Sequence, residues 1–259
     1  MENQGVNMNK EDKEILYNLL KKADAYVNGF SSAAFSQEVV FEDDKEGLEE
    51  QTLPQAEKAG VPEPVKGPAG NDALTLSDLN AKIIRCTKCQ LARTRNNVVP
   101  GEGVANPDVL VIGEGPGYDE DMSGRPFVGK AGILLDKMLA AIGLDRTKNC
   151  YIANVVKCRP PKNRDPEPAE QSACEGFLQA QIHILKPKML LCMGRIAGHK
   201  MLDSQAPLNQ LRGQFFEYNG IPLMVSYHPS ALLRDESLKK PAWEDLKLFK
   251  KKLDQIKSL

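Results

Sequence analysis

Three short apolar runs, each separated from the next by a segment of helical period, constrain this chain most. They are DVLVIG at 108–113, YIANVV at 151–156 and KMLLCMG at 188–194. Each is too short for a buried helix and is apolar at odd and even positions alike, the pattern of a strand covered on both faces. Helices are expected over 128–144, 168–185, 195–202 and 241–257. FFEYNGIPLMVSYH (215–228) reads as a hairpin turning at Asn219-Gly220. The alternation predicts an α/β fold, a three-layer α/β/α sandwich with a mostly parallel central sheet. Ligands of such sheets bind outside the carboxyl ends of the strands. Three segments fall there: GEGPGYDED after the first strand, Asn154 with the segment after the second, and HPSALLR after the last.

The predicted catalytic domain spans 76–259. Ahead of it, residues 9–28 carry an apolar stripe (Ile15, Leu16, Leu19, Leu20, Ala23, Val27), so an N-terminal amphipathic helix is expected within 1–30. It is read as a weakly stable appendage, with docking to a partner protein as the alternative. Residues 31–75 are acidic and then Pro-rich, a composition that buries too little surface to offset ordering entropy, and they read as a flexible linker. The net charge of −1 hides an asymmetry, because residues 1–80 hold 7 Lys and Arg against 16 Asp and Glu. The remainder is therefore basic, which points toward nucleic acid. The polar start and the lack of an 18-residue apolar run exclude a membrane span and argue against a secretory signal. Six cysteines in 259 residues are too sparse for a disulfide scaffold, so a reducing, cytoplasmic setting is expected; the chain is separately expected to be a monomer.

Cys86 and Cys89 have metal-type spacing, since two intervening residues let both thiolates face one centre. With Cys158 and Cys174 they make a set suited to either a structural zinc or a [4Fe-4S] cluster. Cys150 and Cys192, at and within apolar strands, read as buried hydrophobes.

Gly124 to Ala131 imitates a phosphate loop. Ala131 replaces the hydroxyl residue that would bind magnesium, and the segment starts some way after its strand, so nucleotide hydrolysis is not expected. The GEGPG turn (Gly113, Gly115 and Gly117 around Glu114) lets backbone N–H groups approach a ligand closely and places Glu114 beside it. At least two of Asp119, Glu120 and Asp121 are expected to be simply solvated. Phe127, on a glycine-rich loop, is either core or a stacking platform for a planar ring. Of three histidines, His183 and His199 lie mid-helix and read as structural. His228 ends a strand ahead of Pro229-Ser230 and reads as functional. Leu232 and Leu233, beside Arg234, are expected on an exposed loop that could enter a DNA base stack.

These segments together resemble the family 4, iron–sulfur branch of the uracil-DNA glycosylase superfamily. The resemblance covers roughly 80–255 and rests on CTKCQL (86–91), GEGPGYDEDMSGRPFVGKAG (113–132), NVVKCRPPKNR (154–164), Cys174 and HPSALLR (228–234). It implies hydrolysis of the N-glycosidic bond of deoxyuridine in single- or double-stranded DNA, a step of base excision repair. It also implies a [4Fe-4S] cluster on Cys86, Cys89, Cys158 and Cys174. By the same resemblance Glu114 positions or activates water, Phe127 stacks on the flipped uracil, Asn154 bonds its Watson–Crick edge, and Gly117 lies near C5. His228 faces uracil O2, Asn163 is a further catalytic candidate, Leu232 fills the gap left by the base, and Ser230 and Arg234 meet DNA. The family 5 branch has an apolar residue where Glu114 stands. The branch that crosslinks to uracil has a histidine-containing loop, and residues 158–174 contain no histidine.

Overall fold

The computed structural model describes residues 74–258. The expected N-terminal helix and all but the last two residues of the linker lie outside them. The described chain begins with a helix, α1 (Leu76–Ile84), whose start is a capping box. Thr75 Oγ1 accepts from the Asp78 N–H, and the Thr75 N–H donates to Asp78 Oδ2, so two orphan groups of the helix end are satisfied reciprocally.

A six-stranded sheet forms the centre. Its strands are β1 (Glu102–Gly103), β2 (Val109–Gly113), β3 (Cys150–Asn154), β4 (Met189–Met193), β5 (Phe215–Tyr218) and β6 (Ile221–Ser226), in the order β1-β3-β2-β4-β6-β5. The inner strands β3, β2, β4 and β6 are parallel, and β1 and β5 close the edges antiparallel. The expected three-layer α/β/α sandwich is therefore present.

Alternating side chains of each strand feed two cores. Leu110, Ile112, Ala153, Leu190, Cys192 and Val225 face one side, covered by α4 (Pro168–Leu185) and α5 (Arg195–Leu202). Val109, Val111, Ile152, Leu191 and Met224 face the other, covered by α3 (Lys130–Ala141) and α8 (Lys239–Lys257). Cys150 and Cys192 are buried in these cores as expected, and burial pushes the Cys150 thiol up to about 12. The hairpin turns at Asn219-Gly220, where both residues take positive φ, as a type I′ turn requires.

Three short elements differ from expectation. GYDEDMS folds into α2 (Tyr118–Ser123), α6 (Leu208–Leu211) precedes the hairpin, and the HPSALLR loop is the helix α7 (Pro229–Arg234). β3 stops at Asn154, two residues before the apolar run ends. The Val155 and Val156 N–H groups still bond to the Gly113 and Glu114 carbonyls, but the chain then turns away toward Cys158. None of the described helices is long and apolar enough to cross a membrane.

Candidate active site

Because β2 leads to β3 on one side and β4 lies on its other side, the strand order reverses beside the end of β2, where a crevice opens. A cleft of about 620 Å³ occupies this place. Glu114, Gly115, Gly117, Phe127, Asn154, Asn163, His228, Ser230 and Arg234 all line it. The three segments singled out at the sheet edge thus converge on one site.

Gly113 and Leu232 do not line it. Gly113 ends β2 in register with Asn154, and a Cβ there would overlap both the Asn154 amide and the Phe127 ring. Its contribution is room rather than contact. Leu232 is 2% exposed and packs inward from α7, whereas Leu233 is 49% exposed. The expectation of an exposed Leu232 is corrected: the helical turn of α7 sends it inward and turns its neighbour outward.

Phe127 holds a left-handed backbone (φ 52°), an unfavourable conformation for a residue with a Cβ. Its surroundings over-determine it. Arg146 donates to the Pro126 and Phe127 carbonyls at 2.9 and 3.0 Å while it pairs with Asp136 at 2.7 Å. Gly132 on α3 leaves the space that the Phe127 backbone fills. Held this way, the ring lies 5.5 Å from the His228 ring, tilted by 33°.

Glu120 joins the two loops of the site. One carboxylate oxygen accepts from the Gly117 N–H and the other from those of Val128 and Gly129, at 2.9–3.1 Å. The resemblance of 124–131 to a phosphate loop fails here for a physical reason, since two of its amides are already bonded to a carboxylate. Asp121 is 1% exposed and accepts from the Asn96 and Asn97 amides. Two of the three acidic residues are therefore structural, contrary to the expectation of a solvated run. Sequence reasoning passed over the structural role of Glu120, which stands three residues after Gly117 and reaches back to its N–H as one half of a capping box does.

His228 caps α7, and its Nδ1 accepts from the Ser230 N–H at 3.2 Å. Burial, followed by the neighbouring Arg234, lowers its pKa to about 4. A backbone N–H can only donate, so Nδ1 is an acceptor and the ring proton of the neutral imidazole sits on Nε2. A Cβ on Gly194 would crowd His228, so the glycine that ends the β4 run admits the ring. His199 bonds the Ala206 carbonyl as a structural histidine, and His183 is exposed.

Glu114 is half-buried, and its pKa is raised to about 7, chiefly by burial and then by Asp165, against the opposing pull of Arg195 and Arg234. Asn154 is 2% exposed and its Oδ1 has no hydrogen-bond partner. Such an atom costs about 1–3 kcal/mol, so a ligand that supplies the missing donor is favoured. Asn163 lies exposed at the rim and its amide oxygen accepts from Arg159 Nε at 2.7 Å. Arg159 also covers the Tyr118 ring.

A second, smaller pocket gathers Cys86, Cys89, Cys158 and Cys174 with Lys88, Arg95 and Lys157. Arg95 Nη1 lies 3.0 Å from Cys158 Sγ, and the Lys88 N–H points to Cys86 Sγ at 3.5 Å. Among the described residues, no three His, Cys, Asp or Glu side chains converge tightly enough to share a single ion.

A parallel sheet with a polar, partly buried cleft at its carboxyl edge defines a ligand-processing α/β domain. Residues 100–247 match the family model described as Uracil DNA glycosylase superfamily. A type-4 uracil-DNA glycosylase of Archaeoglobus fulgidus is 39% identical over 181 residues, covering 67% of this chain and 90% of the relative. Type-4 enzymes of Thermotoga maritima and Sulfurisphaera tokodaii are 42% and 41% identical, over 66% and 67% of this chain and 91% and 82% of theirs. The chain belongs to the uracil DNA glycosylase superfamily, in its type-4 branch.

Proposed function

We infer that this chain is a uracil-DNA glycosylase that hydrolyses the bond between uracil N1 and C1′ of deoxyuridine in DNA, leaving free uracil and an abasic site. The observation that carries the reading is a buried Asn154 amide with an unpartnered oxygen, in one cleft with Glu114, Phe127 and a neutral His228.

The base must first leave the stack, which costs a few kcal/mol. Stacking on Phe127 returns about 1–3 kcal/mol. Uracil N3–H then donates to Asn154 Oδ1, and the Asn154 amide N–H donates to O4. Cytosine presents an acceptor at N3 and a donor at C4, so both bonds would fail and cytosine is rejected.

As the bond breaks, its electron pair goes to the uracil ring and positive charge develops on the sugar. Nε2–H of His228, neutral and donating, stabilises the anion at O2. Well-placed donors of this kind contribute about 3–4 kcal/mol each. Glu114, as carboxylate, favours the cationic sugar and takes a proton from the water whose oxygen joins C1′. Arg195 and Arg234 in the cleft, with Arg159 over the neighbouring Tyr118 ring, supply positive charge for the phosphates. The exposed Leu233 is the apolar side chain of α7 available to fill the vacated stack.

Cys86, Cys89, Cys158 and Cys174 would hold a [4Fe-4S] cluster. All four line one pocket, a thiol set that suits such a cluster. The N–H donors aimed at the sulfurs suit thiolate ligands. The cluster would supply a covalent tie between the segment after α1, the chain beyond β3, and α4.

The test is alkaline cleavage of a labelled oligonucleotide with one uracil. Cleavage at uracil alone by the wild type, abolished in Glu114→Ala, is the expected result. An iron-loaded, DNA-binding wild type that leaves the uracil strand intact would overturn the reading.

A further inference from the structure

Among the described residues, Lys157 is the one buried cation for which the proposed reaction has no use. Its side chain is 1% exposed and forms no ion pair with a carboxylate among the described residues. Nζ donates to the Asn154 carbonyl at 2.8 Å and to Gln181 Oε1 at 2.6 Å, and Gln181 in turn donates to the Pro100 carbonyl at 2.8 Å. Two neutral oxygens do not neutralise a buried charge, and a buried charge without an opposite partner is strongly destabilising.

The cysteine pocket adjoins the same residue. Lys157 lines the cysteine pocket together with Cys174, and it directly precedes Cys158 in the chain. Its carbonyl accepts from Val99, so the backbone is pinned as well. One residue thus lines the cysteine pocket and holds the strand end bearing Asn154 with its ammonium. Four thiolates around a [4Fe-4S] core carry net negative charge, and a nearby cation raises the potential of such a centre.

We propose that Lys157 is a positioning residue that couples the two sites: its ammonium is the buried counter-charge of the cysteine-bound cluster and, through the Asn154 carbonyl, fixes the strand end that presents the base-reading amide. This rests on the assignment of the cluster to the four cysteines and of uracil release to the cleft. Wild-type iron and sulfide content and wild-type uracil release, measured in parallel, separate a failure of those assignments from a failure of the coupling.

The experiment compares purified, cluster-loaded wild type with Lys157→Met and Gln181→Met. In Lys157→Met the cluster potential, read by spectroelectrochemical titration, is expected to become more negative. Single-turnover uracil release is expected to fall about tenfold with DNA affinity within twofold of wild type. In Gln181→Met the cation stays, so the potential is expected to hold while uracil release falls several-fold. A loaded Lys157→Met protein that changes only one of the two readouts, or neither, overturns the coupling. If Lys157→Met does not retain the cluster, Gln181→Met decides alone: wild-type uracil release, or a shifted potential, overturns it.

Discussion

The Ser230 N–H donates to Nδ1 of His228 at 3.2 Å, and this one bond decides which nitrogen of the imidazole bears the proton. With Nδ1 an acceptor and the ring kept neutral by burial, Nε2–H is a fixed donor in the cleft. Nitrogen NMR of the labelled protein is expected to show a neutral Nε2–H tautomer at pH 6. His228→Ala is expected to lower turnover by about 100- to 1,000-fold, the scale for losing one preorganised donor, with DNA binding retained. A matching loss of binding would contradict the assignment.

On the proposed function, Glu114 sets the pH dependence. Its folded pKa of about 7 lies above the ordinary 4.5, so the folded protein holds an extra proton between these values. The carboxylate needed for reaction is therefore gained as pH rises through 7. Uracil release under single-turnover conditions is expected to climb from pH 6 to pH 8. His228, already neutral above pH 5, adds no limb in that range. The same shift means that Glu114 lowers stability as pH rises from 4.5 to 7. Glu114→Gln is expected to raise the thermal midpoint at pH 8 and much less at pH 5, by scanning calorimetry.

On the proposed function, base selection falls to the Asn154 amide. Asn154→Asp replaces the donor to O4 by an acceptor, so release of uracil is expected to fall and the preference for uracil over cytosine to erode. Competition between uracil- and cytosine-containing oligonucleotides measures it, and unchanged selectivity would exclude Asn154 as the reader of the base edge.

Phe127 depends on residues that do not line the cleft. Arg146→Met removes two donors from the carbonyls that flank its left-handed backbone. A destabilisation of about 1.5–3 kcal/mol is expected, the scale of hydrogen bonds to a charged group. Uracil release is expected to fall with it at temperatures where the protein remains folded. Gly132→Ala is expected to be at least as damaging, because its Cβ would overlap the Phe127 carbonyl.

The adjacent leucines of α7 are expected to separate cleanly. Leu232→Ala opens a cavity in a packed site and should cost about 2–5 kcal/mol of stability in urea titrations. Leu233→Ala should leave stability nearly unchanged while slowing uracil release from duplex DNA more than from single strands, where no partner base need be replaced.

Much of this was legible in the chain itself. Apolar runs such as VLVIG and MLLCM are buried at both parities only in a covered parallel sheet, so the sandwich and its reactive edge follow from pattern. Asn-Gly admits positive φ at two successive positions, so the hairpin turn follows from local sterics. Glu114, Asn154 and His228 stand at strand ends, where the period of the pattern stops and chemistry begins. Only the tertiary structure decided the rest, because it depends on contacts between segments far apart in sequence. The inward turn of Leu232, the burial of Asp121 against Asn96, and the span of Glu120 from Gly117 to Gly129 are set by packing. So is the position of Lys157 between Asn154 and Cys174, one residue that faces two sites because the chain leaves β3 and bends between them. Burial likewise keeps His228 neutral and holds the Glu114 proton on until about pH 7, and burial is a property of neighbours that no local pattern encodes.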